Sequence, residues 1–289
     1  MPIAATNRLK SCQQSPDERL EALLQVRYGD DRTQSGGVRL TQAIDTLLSH
    51  RTVRSYLPTP VSTETLELAI AAAQSASTSS NLQAWSVIAV EDEGRKARIN
   101  AVAGNQRQIE QAPLLLIWLA DLSRLRRIAD AQDSASDGLD YLESFLLAVI
   151  DAALAAQNAL IALESLGLGT CYIGAIRNDP VTVAHELNLP KQVFPVFGLT
   201  VGFPDPAVKS DVKPRLPQTV VLHHEQYRDN PSEKELRAYN QTLRAFQKIQ
   251  SIAPVDWSEQ AAHRVATKES LKNRDKLSAI LKDFGFQLK

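Results

Sequence analysis

Residues 145–178 read FLLAVIDAALAAQNALIALESLGLGTCYIGAIRN, and this stretch decides the fold. Asp151, Gln157 and Asn158 interrupt its apolar run. A helix buried in a protein core is therefore expected rather than a membrane span, where such groups would lack partners. The spacing predicts one helix over 141–166, closed by Gly167 and Gly169, and a short strand over 170–173. The glycine-rich segment thus leaves a helix and enters a strand. A Rossmann phosphate turn runs the other way, from strand to helix. Strands separated by helices point to an α/β or α+β sheet protein and do not give the strand order.

Outward from this stretch the pattern continues. PLLLIWL, residues 113–119, is apolar on both faces and predicts a central strand. Further strands are expected over 87–90 and 194–203. Ser62 suits an N-cap, with Glu64 in the first turn, and Leu66, Ala69, Ile70 and Ala73 follow at helical spacing. The polar run SASTSSN, residues 75–81, ends that helix. A charged helix is expected over 93–103, and Asp179-Pro180 opens another. A segment over 41–49 delivers the chain to His50. Three regions result: an extension, 1–40, a core, 41–230, and a C-terminal helical extension of the same domain, 231–289, broken at Pro254. Within the first, a helix is expected over 18–28, followed by a linker marked by Gly29, Ser35, Gly36 and Gly37. The apolar face of Leu20, Leu23, Leu24 and the aliphatic stem of Arg27 fits an arm on a partner subunit; a disordered leader is the alternative.

The 289 residues are 44% hydrophobic, enough for a substantial core. With 32 basic and 33 acidic residues, the chain lacks the electrostatic footprint of a nucleic-acid binder. The first twenty residues lack an apolar core of signal-peptide length. Cys12 and Cys171 lie far apart with no CxxC, which argues against a disulfide framework or a structural zinc site and fits a cytoplasmic setting.

The sequence contains no GxSxG, GxGxxG or GxxxxGK[ST], and its five histidines show no HExxH spacing. Two cationic segments remain: HRTVR, residues 50–54, and KPRLP, residues 213–217. Guanidinium forks match phosphate oxygens and lysine adds a point charge. A phosphomonoester carries about −1.5 to −2 charges, and the prolines stiffen the second segment. Taken singly, each also reads as a solvated basic loop.

The order of the pieces carries more. HRTVR, a helix, STSSNLQ, a strand, AGNQ, the long apolar helix, GLGTCYIGAIRN, FGLTVGFP and KPRLP together resemble the FMN-dependent nitroreductase and flavin reductase family. The similarity is greatest to its group-A, NADPH-dependent, oxygen-insensitive nitroreductases. It spans residues 41–230 and continues more weakly to the C-terminus. The resemblance implies a mixed, mainly antiparallel central sheet flanked by helices, in a homodimer with a long buried core helix. It also implies a non-covalent FMN. His50, Arg51, Thr52 and Arg54 match the opening of the FMN site, and Lys213 and Arg215 match the loop that closes on the phosphate. Ser77, Thr78, Ser79 and Ser80 match a serine-rich loop beside the cofactor, with Gln83 after it. Gln106 matches an amide at the pyrimidine edge. Tyr172, Ile173, Gly174 and Ala175 match a segment over one ring face, and Arg177 matches an arginine bordering the substrate channel.

The activity so implied is ping-pong: NADPH or NADH reduces FMN, then a nitroaromatic, quinone, free flavin or similar acceptor is reduced in its place. Arg54 and Gln106 would stabilise the charge that develops, and no side-chain nucleophile is required. The alternative is a flavin carrier or sensor without turnover. Relatives grip the 2′-phosphate of NADPH with an arginine-bearing loop, but here that region, KIQSIAPVDW, residues 248–257, has no arginine, and Leu271 replaces a second family arginine. The choice of donor is therefore open, with Arg177, Arg244, Lys248 and Arg264 as alternative grips. Small-molecule acceptors are the expected partners; neither nucleic acid nor a membrane is.

Overall fold

The computed structural model describes residues 15–29, 36–228 and 233–289. Cys12, Ser35 and Ser232 lie outside the described residues. In chain order the helices are α1 (Pro16–Tyr28), α2 (Gln42–Leu48) and α3 (Thr63–Gln74). Strand β1 (Trp85–Val90), helices α4 (Glu93–Val102) and α5 (Arg107–Gln111) and strand β2 (Leu114–Asp121) follow. Next come α6 (Ser123–Ala131), α7 (Leu142–Ser165), β3 (Gly169–Ile173), α8 (Pro180–Glu186) and β4 (Val193–Gly202). The chain ends with α9 (Gln218–Val221), α10 (Glu233–Ile249), α11 (Trp257–Val265) and α12 (Leu277–Asp283). Two compact units result. The first joins Met1–Arg51 to Ser210–Ala262, the second Thr52–Lys209 to His263–Lys289.

The second unit holds the sheet, ordered β1-β2-β4-β3, with every adjacent pair antiparallel. β2 is buried along its whole length, as its unbroken apolar run requires of a strand covered on both faces. β4 is also internal, yet carries Pro195, which has no N–H to give a ladder. The register shifts between Trp118 and Leu119, and Pro195 stands opposite Leu119 there, so the missing donor falls at an irregularity.

α7 packs on the sheet through Ala155, Ala156, Ala159, Leu160 and Leu163, against Leu116, Trp118, Leu199 and Val201. Ala69 and Ala73 of α3 join the same cluster; alanine on both helices lets their axes approach closely. Among the described residues α7 is the one helix long and apolar enough to cross a membrane, and its place in this cluster is that of a core helix. It ends as expected at Gly167, whose φ is 86°. The N–H of Gly167 donates to Glu164 O and that of Leu168 to Leu163 O, at 3.0 and 3.1 Å, a Schellman closure. Gly169 differs from its expected role. It is the first residue of β3, and a Cβ there would lie 2.5 Å from the Val53 side chain, so its smallness admits a neighbouring segment. The opposite face of α7 leaves Leu142, Leu146, Ile150 and Leu154 exposed, Ile150 at 56%. Their spacing of four places them in one stripe.

Local signals act where the sequence puts them. Ser62 Oγ accepts from Thr65 N–H at 3.2 Å. Asp179 Oδ1 accepts from Thr182 N–H at 3.0 Å, with Pro180 at the first helical position. α6 has no counterpart in the sequence reading.

In the first unit, α1 begins with a capping box: Ser15 N–H donates to Glu18 at 2.8 Å and Glu18 N–H to Ser15 Oγ at 3.3 Å. Arg19 grips Asp45 of α2 through Nε and one terminal nitrogen, at 2.7 and 2.6 Å. Leu20 and Leu23 are buried within the chain itself.

Candidate functional site

The first unit assembles the cations. Arg27 on α1 is 6% exposed. Its guanidinium donates to the carbonyl oxygens of Lys213 at 3.0 Å, Leu48 at 2.8 Å and His50 at 3.3 Å. Its own carbonyl accepts from Arg215 N–H at 2.9 Å. One buried side chain thus holds the end of the His50 helix and the Lys213–Arg215 loop together. Arg51 Nε donates to Ser210 Oγ at 3.1 Å, and Tyr239 Oη donates to Pro214 O at 3.2 Å. The sequence placed Arg27 on a helix face by its aliphatic stem and missed its donors.

In the second unit, the Thr52–Arg54 segment lies along the free edge of β3. Thr52 bridges Thr170 in parallel, and Val53 N–H donates to Thr170 O at 2.9 Å. Val53 is buried and Arg54 exposed, the alternation of an extended segment. Tyr56 secures this edge: its hydroxyl donates to Val53 O at 2.7 Å and lies 2.8 Å from Thr200 Oγ1. Burial pushes the Tyr56 phenol well above its usual range, so it is a neutral donor. Among the described residues Arg54 makes no hydrogen bond or ion pair.

The serine-rich loop is organised from below by Asp151 on α7, 2% exposed. Asp151 Oδ2 accepts from Thr78 Oγ1 at 2.6 Å and Ala84 N–H at 3.1 Å, and Oδ1 accepts from Ser79 N–H at 3.2 Å. Thr78 Oγ1 in turn accepts from Gln83 N–H at 2.9 Å. The Thr78 hydroxyl is therefore committed to the loop, while Ser77, Ser79 and Ser80 face outward. Ser80, Asn81 and Gln83 all have positive φ, 47°, 56° and 50°. Such residues cost about 1 kcal/mol or more each, and the Asp151 bonds hold them. A carboxyl within an apolar helix was the sequence signal for this hub.

Gln106 is engaged locally. Its Nε2 donates to Ala103 O at 2.9 Å, its N–H to Asn100 Oδ1 at 2.7 Å, and its Oε1 accepts from Gln108 at 2.6 Å. Gln83 Nε2 donates to Asn81 at 3.3 Å. β3 ends at Ile173 and passes into a tight turn over Gly174–Asn178. Tyr172 is exposed and meets Phe197 edge-on at 5.2 Å; burial of its hydroxyl end, with Glu164 nearby, raises its phenol. Arg177 donates to Val196 O, and its guanidinium lies over Gly174, where a Cβ would sit 3.4 Å from it. Burial lowers the Arg177 guanidinium. Ile173 is buried, and Gly174 and Ala175 are half-buried.

Each unit therefore gathers part of the expected set. His50, Arg51, Lys213 and Arg215 come together in the first. Thr52, Arg54 and the β3–turn residues come together in the second, which also contains the Asp151-supported loop and Gln106.

Comparison with known proteins gives this arrangement a context. Residues 47–203 match the nitroreductase family, and residues 213–289 match the C-terminal domain of that family. A Cr(VI) reductase from Pseudomonas sp. (strain G-1) is 41% identical over 218 residues, 75% of this chain and 88% of the relative. An FMN reductase (NADPH) from Bacillus subtilis is 36% identical over 252 residues, covering 86% of this chain and 99% of the relative. The solved structure of NfrA2 from B. megaterium superposes with a TM-score of 0.81 at 36% identity, covering 86% of this chain and 100% of that one. This chain is a member of the nitroreductase family.

Proposed function

We propose that this chain is an NAD(P)H-dependent, FMN-containing oxidoreductase that reduces small oxidised acceptors: nitroaromatics, quinones, free flavins or oxyanions such as chromate. The observation that carries the reading is the paired anchoring of His50 and Lys213 by Arg27, which gathers His50, Arg51, Lys213 and Arg215 in one unit. Such a donor set fits the dianionic phosphate of FMN. On the second unit, exposed Arg54 and the outward hydroxyls of Ser77 and Ser80 supply the neutral and cationic donors that a flavin's polar edge takes up.

When bound, FMN supplies the redox chemistry, accepting electrons from a nicotinamide donor and passing them on. The chain's own residues bind and orient. Arg54 places positive charge beside the β3 edge, where it can stabilise negative charge as it develops. Tyr56 and Asp151 fix the segments that carry Arg54 and Ser77–Ser80. Gln106 is assigned to the pyrimidine edge; its Nε2 would exchange the Ala103 carbonyl for the cofactor. Arg177 borders the acceptor.

Homodimerisation belongs to the same reading. The exposed stripe of Leu142, Leu146, Ile150 and Leu154 on α7 is the apolar face that a second copy would cover.

The test is anaerobic titration of the purified protein with NADPH and, separately, NADH. A yellow protein that bleaches with about one equivalent of donor and recolours on addition of a nitroaromatic or quinone supports the reading. Stoichiometric flavin that neither donor bleaches would make the chain a carrier instead.

A further inference from the structure

Helix α4 carries two buried polar side chains, Lys96 and Asn100, 5% and 7% exposed. They stand four residues apart and so share one face of the helix, a turn from each other. Both reach α5. Asn100 Oδ1 accepts from the N–H of Gln106 at 2.7 Å, at the start of α5. The Lys96 ammonium donates to the carbonyl oxygen of Ala112 at 2.7 Å, at its end. α5 is five residues long, too short to hold its shape alone. Its two ends are fixed from one face of α4, and Ile109 between them is fully buried.

The turn that leads into α5 is held from the same place. Gly104 and Asn105 have φ of 84° and 52°, and a left-handed asparagine persists where its surroundings fix it. The Asn105 N–H donates to Asn100 O at 2.9 Å. Asn100 therefore accepts from two successive N–H groups, one through its backbone and one through its side chain.

Lys96 is the more telling of the pair. Burial lowers its ammonium, against the opposing influence of Glu93, Glu91 and Asp92, and among the described residues it forms no ion pair with an acid. A methionine would fill the same space without burying a charge. What the ammonium adds is a charged donor at the C-terminal end of α5, where a cation is favoured.

We propose that Lys96 and Asn100 are positioning residues for flavin recognition: by clamping both ends of α5 they fix the main chain of Gln106, so that its amide can leave the Ala103 carbonyl and meet the pyrimidine edge of FMN without the segment moving. This rests on the reading that assigns Gln106 to that edge. The Gln106 side chain is held by neutral partners alone, Ala103 O and Gln108 Nε2, and these can be exchanged while the clamp stays in place.

The test compares the affinity of apoprotein for FMN, N3-methyl-FMN and riboflavin by flavin fluorescence titration. Methylation at N3 removes the donor of the pyrimidine edge and adds bulk there. Wild type should bind FMN at least about tenfold tighter than the methylated form, and Gln106→Ala should lose that preference. Asn100→Ala and Lys96→Met should each lose at least about threefold of it, while the preference for FMN over riboflavin, which the phosphate grip sets, stays at the wild-type value. Asn100→Asp keeps the acceptor oxygen and Lys96→Arg keeps a charged donor, and both should retain most of the N3 preference. Asn100→Ala and Lys96→Met variants that melt lower but keep the N3 preference, or that lose both preferences together, overturn the proposal. Hydrogen exchange on wild-type apoprotein needs no variant: the Gln106 N–H must be protected, and free exchange there overturns the proposal as well. Wild type that fails to distinguish FMN from N3-methyl-FMN, or a Gln106→Ala variant that still does, removes the Gln106 assignment and the proposal with it. A preference that Gln106→Ala loses and the α4 variants keep removes the proposal alone.

Discussion

The Arg27 guanidinium reaches the Lys213 carbonyl at 3.0 Å, and through its other terminal nitrogen it reaches the carbonyls of Leu48 and His50. Two basic segments distant in sequence are thereby joined by a buried side chain that need not touch any ligand. Arg27→Met keeps the stem and removes every donor. It should cost about 2–4 kcal/mol, because buried carbonyl oxygens lose their partners, and should weaken FMN binding at least about tenfold. Chemical denaturation and flavin fluorescence titration measure the two effects. Wild-type flavin affinity in a folded variant would separate Arg27 from the phosphate site.

Asp151 is the corresponding brace in the second unit. Asparagine there has one acceptor oxygen where three donors now converge. Asp151→Asn should destabilise the chain by about 2 kcal/mol or more and loosen residues 77–84. Hydrogen exchange at Ser79 and Ala84 N–H reports this directly; unchanged protection at both would contradict it.

These two braces mark where the sequence stopped being legible. The unbroken apolar run of β2 and the long apolar α7 specified the central strand and the core helix by burial alone, and Ser62, Asp179-Pro180 and Gly167 marked their helix ends through local chemistry. Arg27 could not be read as a brace, because an arginine on a short helix ordinarily reaches solvent, and its three acceptors come from distant segments. Gly169 looked like part of the helix end because its reason, the Val53 side chain, lies far away in sequence. Asp151 was visible only as an interruption.

The stripe on α7 gives a prediction about assembly. Ile150→Lys places a charge in the middle of an exposed apolar row that a partner copy is proposed to cover. Wild type should sediment as a dimer at micromolar concentration and the variant as a monomer. A monomeric wild type would remove the dimer from the account, and a dimeric variant would move the interface elsewhere.

Acid stability follows from Asp121. Burial alone would raise its carboxyl, but the Ser86 hydroxyl at 2.6 Å and the N–H and guanidinium of Arg124 at 3.2 and 3.1 Å outweigh burial and hold it below the usual range. A carboxyl lowered on folding contributes stability above its unfolded value, near about pH 4, and loses it as pH falls through the folded value. Asp121→Asn should therefore be less stable than wild type at neutral pH, with the gap closing below about pH 4. Urea denaturation across pH 3–7 measures it; a gap independent of pH would show that the carboxyl is not held down.

The central claim is that His50, Arg51, Lys213 and Arg215 grip the phosphate of FMN. The direct measurement is a pair of equilibrium titrations, FMN and riboflavin, on apoprotein of wild type and of the double variant Lys213→Ala/Arg215→Ala. The account predicts that wild type binds FMN at least about a hundredfold tighter than riboflavin, roughly 2.7 kcal/mol, and that the double variant loses most of that preference while its riboflavin affinity stays the same. A double variant that still distinguishes FMN from riboflavin as wild type does would contradict it.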